Sequence, residues 1–177
     1  ELSRAEVELR RTQAILDDQP DYRRDDIAAL HDSLDLARRL EAVRKEYFTR
    51  SNAWFDCGTA LDRYAHEFEQ SNWSMEHDST GSIALHVSAS PLRYRLLAAL
   101  DDWAWLAHRE AMRATESEER AKHLELRDRL LQIARDADVD NPIANQLRDG
   151  AKWEDAMALR SLVDALEPRE QSPELLV

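Results

Sequence analysis

Apolar residues fall at three- and four-residue steps along nearly the whole chain, the period of an amphipathic helix. In the middle of the sequence Leu92, Leu96, Leu100, Trp103 and Ala107 share one helical face, with Ala99 and Leu106 beside them. Ser90-Pro91 stands before them as a helix start. The serine hydroxyl can accept from a free first-turn N–H, and proline at the first helical position has no N–H to leave unsatisfied. Trp105 falls on the far side of the wheel from Leu100, so it meets a second neighbour or stands exposed as an interface anchor. A helix of this kind is built to be surrounded.

The same period continues on both sides. Leu2, Ala5, Leu9 and Leu16 form a narrow stripe, with Ser3 and Glu6 spaced as a capping box, and Asp17-Asp18-Gln19-Pro20 stops that helix. Asp25 or Asp26 is placed to cap a second helix through Ile27, Leu30, Leu34, Ala37, Leu40 and Tyr47, and the two read as an αα-hairpin. Trp54-Phe55-Asp56-Cys57-Gly58 turns the chain. A third helix, started by Asp56 or Thr59, carries Ala60, Leu61, Tyr64, Ala65 and Phe68. Residues 71–89 are irregular. Ile83, Leu85 and Val87 alternate as in a strand, but a lone strand has nothing to pair with, so a loop with a short helix is expected.

The central helix runs to about Arg113. Thr115-Glu116-Ser117 then leads into a helix with Ala121, Leu124, Leu130, Leu131, Ala134 and Ala137, which Asp138-Val139-Asp140-Asn141 ends. Asn141-Pro142 repeats the cap-and-proline start, for a short helix through Ile143 and Leu147 with Gly150 as its C′ residue. Trp153, Ala156, Leu159, Val163 and Leu166 come next on one face as far as Glu167-Pro168, and Ser172-Pro173 looks like a third such start. The pattern predicts an all-α chain of about seven helices, arranged as stacked helical hairpins in a TPR-like, α-solenoid-like bundle. Residues 1–52 are expected to form a charged N-terminal hairpin and 53–177 a second helical unit leading into a repeat array, the alternative being one continuous domain.

Composition narrows the function classes. Lys and Arg number 24 against 36 Asp and Glu, a formal charge of −12. That is a solvated acidic surface, and it speaks against nucleic acid as the main partner, which would need clustered bases. The single cysteine, Cys57, allows no intrachain disulfide and suits a reducing, cytoplasmic setting or an exported domain without disulfides. No apolar run approaches the ~20 residues that cross a bilayer, so no membrane insertion by this stretch is expected. The chain opens inside a helical pattern without an initiator methionine, and reads as a piece of a longer protein.

Candidate chemistry is sparse. The six histidines occur in no His-Glu-x-x-His, Glu-x-x-His or zinc-type arrangement, and no cofactor or metal is implied. Asp101 and Asp102 are adjacent, about 100° apart on a helix, and so cannot serve one substrate as a catalytic dyad. A structural role is expected instead. Asp101 faces solvent or pairs with Arg95 or with an arginine of a neighbouring helix, and Asp102 pins the start of an adjacent helix. Trp103 and Tyr64 belong to the core. Ser74, His77, Asp78 and Ser79 lie too close in sequence for a catalytic triad. Trp105, Trp73, Asn72 and His77, the last three in the loop region 72–82, are the candidate contact surface. The competing reading is a regulatory small-molecule module with a pocket around Trp103 and His66.

Several segments in order resemble one family. Ala98-Ala99-Leu100-Asp101-Asp102-Trp103-Ala104 is similar to an ALDDWA run in large planctomycete serine/threonine protein kinases that carry tetratricopeptide repeats. Ala60-Leu61-Asp62-Arg63-Tyr64-Ala65-His66-Glu67-Phe68 resembles a further helix of that family, as does Leu130-Leu131-Gln132-Ile133-Ala134-Arg135-Asp136-Ala137-Asp138. Asn141-Pro142, Gln146-Leu147-Arg148-Asp149 and Pro173-Glu174-Leu175-Leu176 are similar to the family's next segments, the last opening a repeat helix. The resemblance spans residues 54–177, departs from the family over 72–87, and reaches 1–52 only as a charged helical region. It implies a helical connector between a kinase domain and a repeat array, serving as scaffold and protein-interaction domain. No Gly-rich phosphate loop, His-Arg-Asp or Asp-Phe-Gly motif is present, so no kinase activity is carried over to these residues.

Overall fold

A computed structural model describes residue 7 and residues 24–49, 57–71, 73–75 and 77–164. The helix expected through Leu2, Ala5, Leu9 and Leu16, the turn at 54–56, Asn72, Leu166 and the starts at Glu167-Pro168 and Ser172-Pro173 lie outside the described residues. Among the described residues the protein is all-α. Seven α-helices succeed one another: α1 Arg24–Thr49, α2 Cys57–Gln70, α3 Thr80–Ala89, α4 Arg93–Arg113, α5 Ser117–Ala137, α6 Pro142–Leu147 and α7 Ala156–Asp164, with a 3-10 turn Gly150–Glu154 before α7.

The central helix is surrounded as its pattern requires. Leu96, Leu97, Leu100, Trp103, Ala104, Leu106 and Ala107 of α4 are all buried, and α4 packs on α1, α2, α3 and, most extensively, α5. The three-residue link Ala114-Thr115-Glu116 folds α5 back along α4. On the other side Leu36, Leu40, Val43 and Tyr47 of α1 and Cys57, Ala60, Leu61, Tyr64 and Phe68 of α2 complete one continuous core with Leu130, Leu131, Ile133 and Ala134 of α5. Leu34 and Ala37 are buried as expected, and the side chain of Ile27 lies outside the described ones. Stacked helical pairs of this kind are compatible with a solenoid-like arrangement.

Several boundaries differ from the sequence pattern for physical reasons. The first described helix is already under way at Arg24, so Asp25 and Asp26 sit inside it and do not precede it. Ser90 ends α3, its backbone N–H donating to Val87 O, while its hydroxyl accepts from Leu92 N at 3.1 Å. The serine thus serves two helices, and Pro91 falls in the turn between them instead of at the first position of α4. Residues 71–79 form the loop and α3 the short helix. Ser79 caps α3 by accepting from Ser82 N at 3.1 Å. Ile83, Ala84 and Val87 point inward while Leu85 is 71% exposed, so the alternation in that stretch is a helical one.

Asn141 behaves as read. Its Oδ1 accepts from Ala144 N at 3.1 Å, with Pro142 at the first helical position of α6. Gly150, however, is not the C′ residue. The helix ends at Leu147 with Arg148 as its cap, and Gly150 begins the 3-10 turn. Its need for glycine is spatial, since a Cβ there would lie 2.8 Å from Asp128 Oδ1 and 2.9 Å from Arg127 Nε. Trp153 accordingly belongs to that turn and not to α7.

Candidate functional site

The two aspartates of α4 diverge, and each is held by an arginine from a different part of the chain. Asp101 receives a two-pronged guanidinium from Arg148: Nε donates to Oδ1 at 2.9 Å and Nη2 to Oδ2 at 2.9 Å. The remaining edge of the same arginine donates through Nη1 to Asp138 Oδ2 at 2.9 Å and to Asn145 Oδ1 at 3.2 Å. Asn145 in turn donates to the carbonyl of Asp138 at 2.8 Å, and Arg135 donates to the carbonyl of Arg148. Arg148 and Asp138 are buried. Burial works against the arginine's charge, but the hydrogen bonds and negative charges of Asp101 and Asp138 outweigh it and hold its pKa above the usual arginine value. One fork therefore ties α4, the end of α5 and the end of α6 together, the geometry in which a buried guanidinium is best satisfied.

Asp102 faces away from this network, toward α1. Its Oδ2 lies 2.9 Å from Arg44 Nε of α1, but the alignment falls short of a hydrogen bond and the buried oxygen has no donor. Burial pushes its carboxyl up to about 6, against the pull of Arg44 and with a smaller push from Asp101. The expected role of Asp102, pinning the start of an adjacent helix, becomes a pairing with the second half of α1. The arginine that grips Asp101 is not Arg95 of the same helix; it comes from the chain just beyond α6.

Around these charges lies a run of aromatic rings. Trp103 is stacked between Tyr64 at 6.0 Å and Phe68 at 5.4 Å, and Phe68 stacks on Trp73 at 5.9 Å, which meets the His86 ring at 5.9 Å. The indole N–H of Trp103 is buried without an acceptor. Burial raises the Tyr64 hydroxyl far above its ordinary pKa, so it remains protonated. Tyr64 and Trp103 are core residues, as read from sequence.

The contact-surface candidates separate. Trp105 is exposed, with its ring edge-on to Tyr47 at 5.8 Å and the Arg109 guanidinium 4.9 Å from its centroid. It thus meets a second neighbour and remains accessible. Trp73 is half-buried against the core. The His77 side chain is exposed, and its backbone N–H donates to Ser74 Oγ at 3.3 Å. Ser74 N donates to Asp78 Oδ2 at 2.7 Å and Arg129 donates to the Asp78 carbonyl, so the polar residues of this loop close turns. Asn72 lies outside the described residues.

Trp103 and His66, between which the sequence suggests a pocket, differ in exposure. Trp103 is buried among rings, and His66 is on the surface, bonded to Gln70 at 2.7 Å. A groove of about 540 Å³ opens elsewhere, between α1 and α3, lined by Leu36, Trp73, Leu85, His86, Ala89 and Pro91 among others. Glu67 pairs with Arg39 at 2.7 Å, and among the described residues no group of three His, Cys, Asp or Glu is placed to hold a metal ion. Cys57 is fully buried at the start of α2, 3.7 Å from Arg113 Nη1, and burial raises its thiol pKa.

No protein-family profile, curated protein or solved structure matches the chain. Among the described residues no helix is long and apolar enough to cross a membrane. The residues that sequence reasoning missed are the arginines. Arg148 and Arg44 look like any other surface cation, and the first lies 47 positions from the aspartate it grips. The signal that could have drawn attention to Arg148 is its place directly after a short capped helix, where a cation interacts well with the last carbonyls.

Proposed function

We propose that this chain is a non-catalytic helical scaffold and protein-interaction domain of a larger, kinase-linked protein that carries tetratricopeptide repeats. The observation that carries the reading is the use made of the interior carboxylates. Asp101, Asp102 and Asp138 each face an arginine of another segment, so their charges fasten segments together and leave no carboxylate pair facing a cleft. Among the described residues the aromatic side chains are likewise spent on packing, apart from Trp105 and Tyr94, which remain exposed. The kinase and repeat neighbours rest on the ALDDWA-type resemblance, and the lone buried thiol suits a cytoplasmic location.

The test has two arms. The reading frame that encodes this chain should contain a kinase domain before it and helical repeats after it; a frame without them removes that clause and leaves the scaffold. Purified chain is then titrated against those neighbouring domains by calorimetry. Saturable binding is the expected result, and the absence of any binding, or turnover of a substrate by the chain itself, would overturn the scaffold reading.

The groove between α1 and α3 supports a second reading, a regulatory small-molecule site, since its size and largely apolar lining fall in the range of ligand pockets. A ligand seated there would quench or shift the emission of Trp73, and substitution of Leu85 by Ser would abolish that change.

A further inference from the structure

Seven large apolar side chains stand exposed among the described residues, and three of them belong to one helix: Tyr94 at 46%, Trp105 at 40% and Met112 at 44%. At about 100° per residue, positions 94, 105 and 112 return to within roughly 20° of one another, so the three form a straight stripe about 27 Å long. The stripe lies opposite the buried face made by Leu96, Leu100, Trp103 and Ala107. On one flank stands α1, through Tyr47 and Arg44. On the other stand Arg148 and Trp153, the latter edge-on to His108 at 5.4 Å.

Each of the three anchors carries a guanidinium. Arg93 lies 4.7 Å from the centroid of the Tyr94 ring, Arg109 lies 4.9 Å from that of Trp105, and Arg120 Nη2 lies 3.9 Å from Met112 Sδ. This clustering stands out in a chain of formal charge −12. Of the carboxylates on α4, Asp101 is gripped by Arg148, Asp102 faces Arg44, and Glu110 pairs with Arg113 at 3.2 Å. What the stripe presents outward is therefore apolar area edged with positive charge.

We infer that the outward stripe of α4 docks an acidic amphipathic helix of a partner protein, whose apolar face covers Tyr94, Trp105 and Met112 and whose carboxylates meet Arg93, Arg109 and Arg120. The inference rests on the scaffold reading and gives the partner its chemistry. A helix suits a straight row of anchors at whole-turn spacing. A second copy of the chain does not, because a two-fold contact would set guanidinium groups against one another. A phosphate-bearing strand has no continuous apolar face to cover the row of anchors, and three arginines spread along about 27 Å offer it no clustered basic groove.

The probe is an 18-residue stapled helix with leucines at three- and four-residue steps and glutamates elsewhere. Its twin carries lysine in place of glutamate, and a single-stranded thymidine oligonucleotide is the third ligand. With the full chain, the glutamate helix is expected to bind and to shift the amide resonances along α4. Trp105→Ala, Tyr94→Ala and Arg109→Glu should each weaken it by about tenfold or more, while Val139→Ser leaves it unchanged. Equal binding of the lysine twin, tighter binding of the oligonucleotide, or indifference to all three substitutions would overturn the inference. A chain that still binds its neighbouring domains while ignoring the glutamate helix keeps the scaffold reading and loses this one.

Discussion

Asp102 is a residue whose charge the fold tolerates poorly. A carboxyl raised to about 6 favours the protonated form in the folded state. Between its ordinary value near 3.8 and 6 the folded protein therefore binds more protons than the unfolded one, and stability falls as pH rises through that window. Asp102→Asn removes the titration. Its stability relative to wild type should climb by about 2 kcal/mol between pH 4 and pH 7 and stay flat below pH 4, in urea melts at each pH. Carbon-detected titration of the Asp102 carboxyl should give a midpoint near 6; a midpoint near 4 would show that Arg44 dominates. Adjacency on a helix predicts that Asp101 and Asp102 diverge, and they face Arg148 and Arg44 respectively. Which arginine each would meet was not legible, because ion pairing across helices depends on how the helices cross and not on any local spacing.

At the scale of elements, the apolar period located helices well and their first residues less well. The faces of α2 and α4 are buried largely as read, since three- and four-residue steps translate directly into one side of a helix. Starts are harder because a serine before proline can serve a turn as well as a cap, as Ser90 does, whereas Asn141 keeps the cap geometry and holds α6. Asn141→Ala should cost about 1 kcal/mol of stability. Because α6 spans only Pro142–Leu147, its amide exchange should rise while that of α4 does not. Gly150 shows the other limit of local reading. Its position after a helix suggested a cap, but what excludes a side chain is the Arg127–Asp128 pair on another helix.

For the whole molecule, the core unites α1 to α5, while the described residues beyond 141 join it through the Arg148 fork and through the half-buried Trp153. Arg148 grips Asp101 and Asp138, and Trp153 donates to the Leu147 carbonyl at 2.7 Å. Removing one member of a buried ion network leaves the others uncompensated and typically costs about 3–5 kcal/mol. Arg148→Ala should thus lower stability by about 3 kcal/mol in urea melts. Hydrogen exchange should speed up first in α6, the 3-10 turn and α7, with α4 and α5 the last to open. Uniform acceleration across all helices would mean that the fork is part of the main core. The architecture of this assembly was legible as a class, all-α with its helices packed against one another. The buried ion pairs that Arg148 makes were not, because hydropathy patterns record apolar contacts alone.

The interior position of Cys57 has a kinetic consequence. The thiol is fully shielded, and its raised pKa keeps the reactive thiolate scarce. A small disulfide reagent can therefore reach the sulfur only when α2 parts from α1 and α4, so modification counts openings of the core one at a time. The labelling rate in water should equal that of the unfolded chain multiplied by the unfolding constant from melts, making the single thiol a clock for the central bundle that a partner bound to the folded surface would slow.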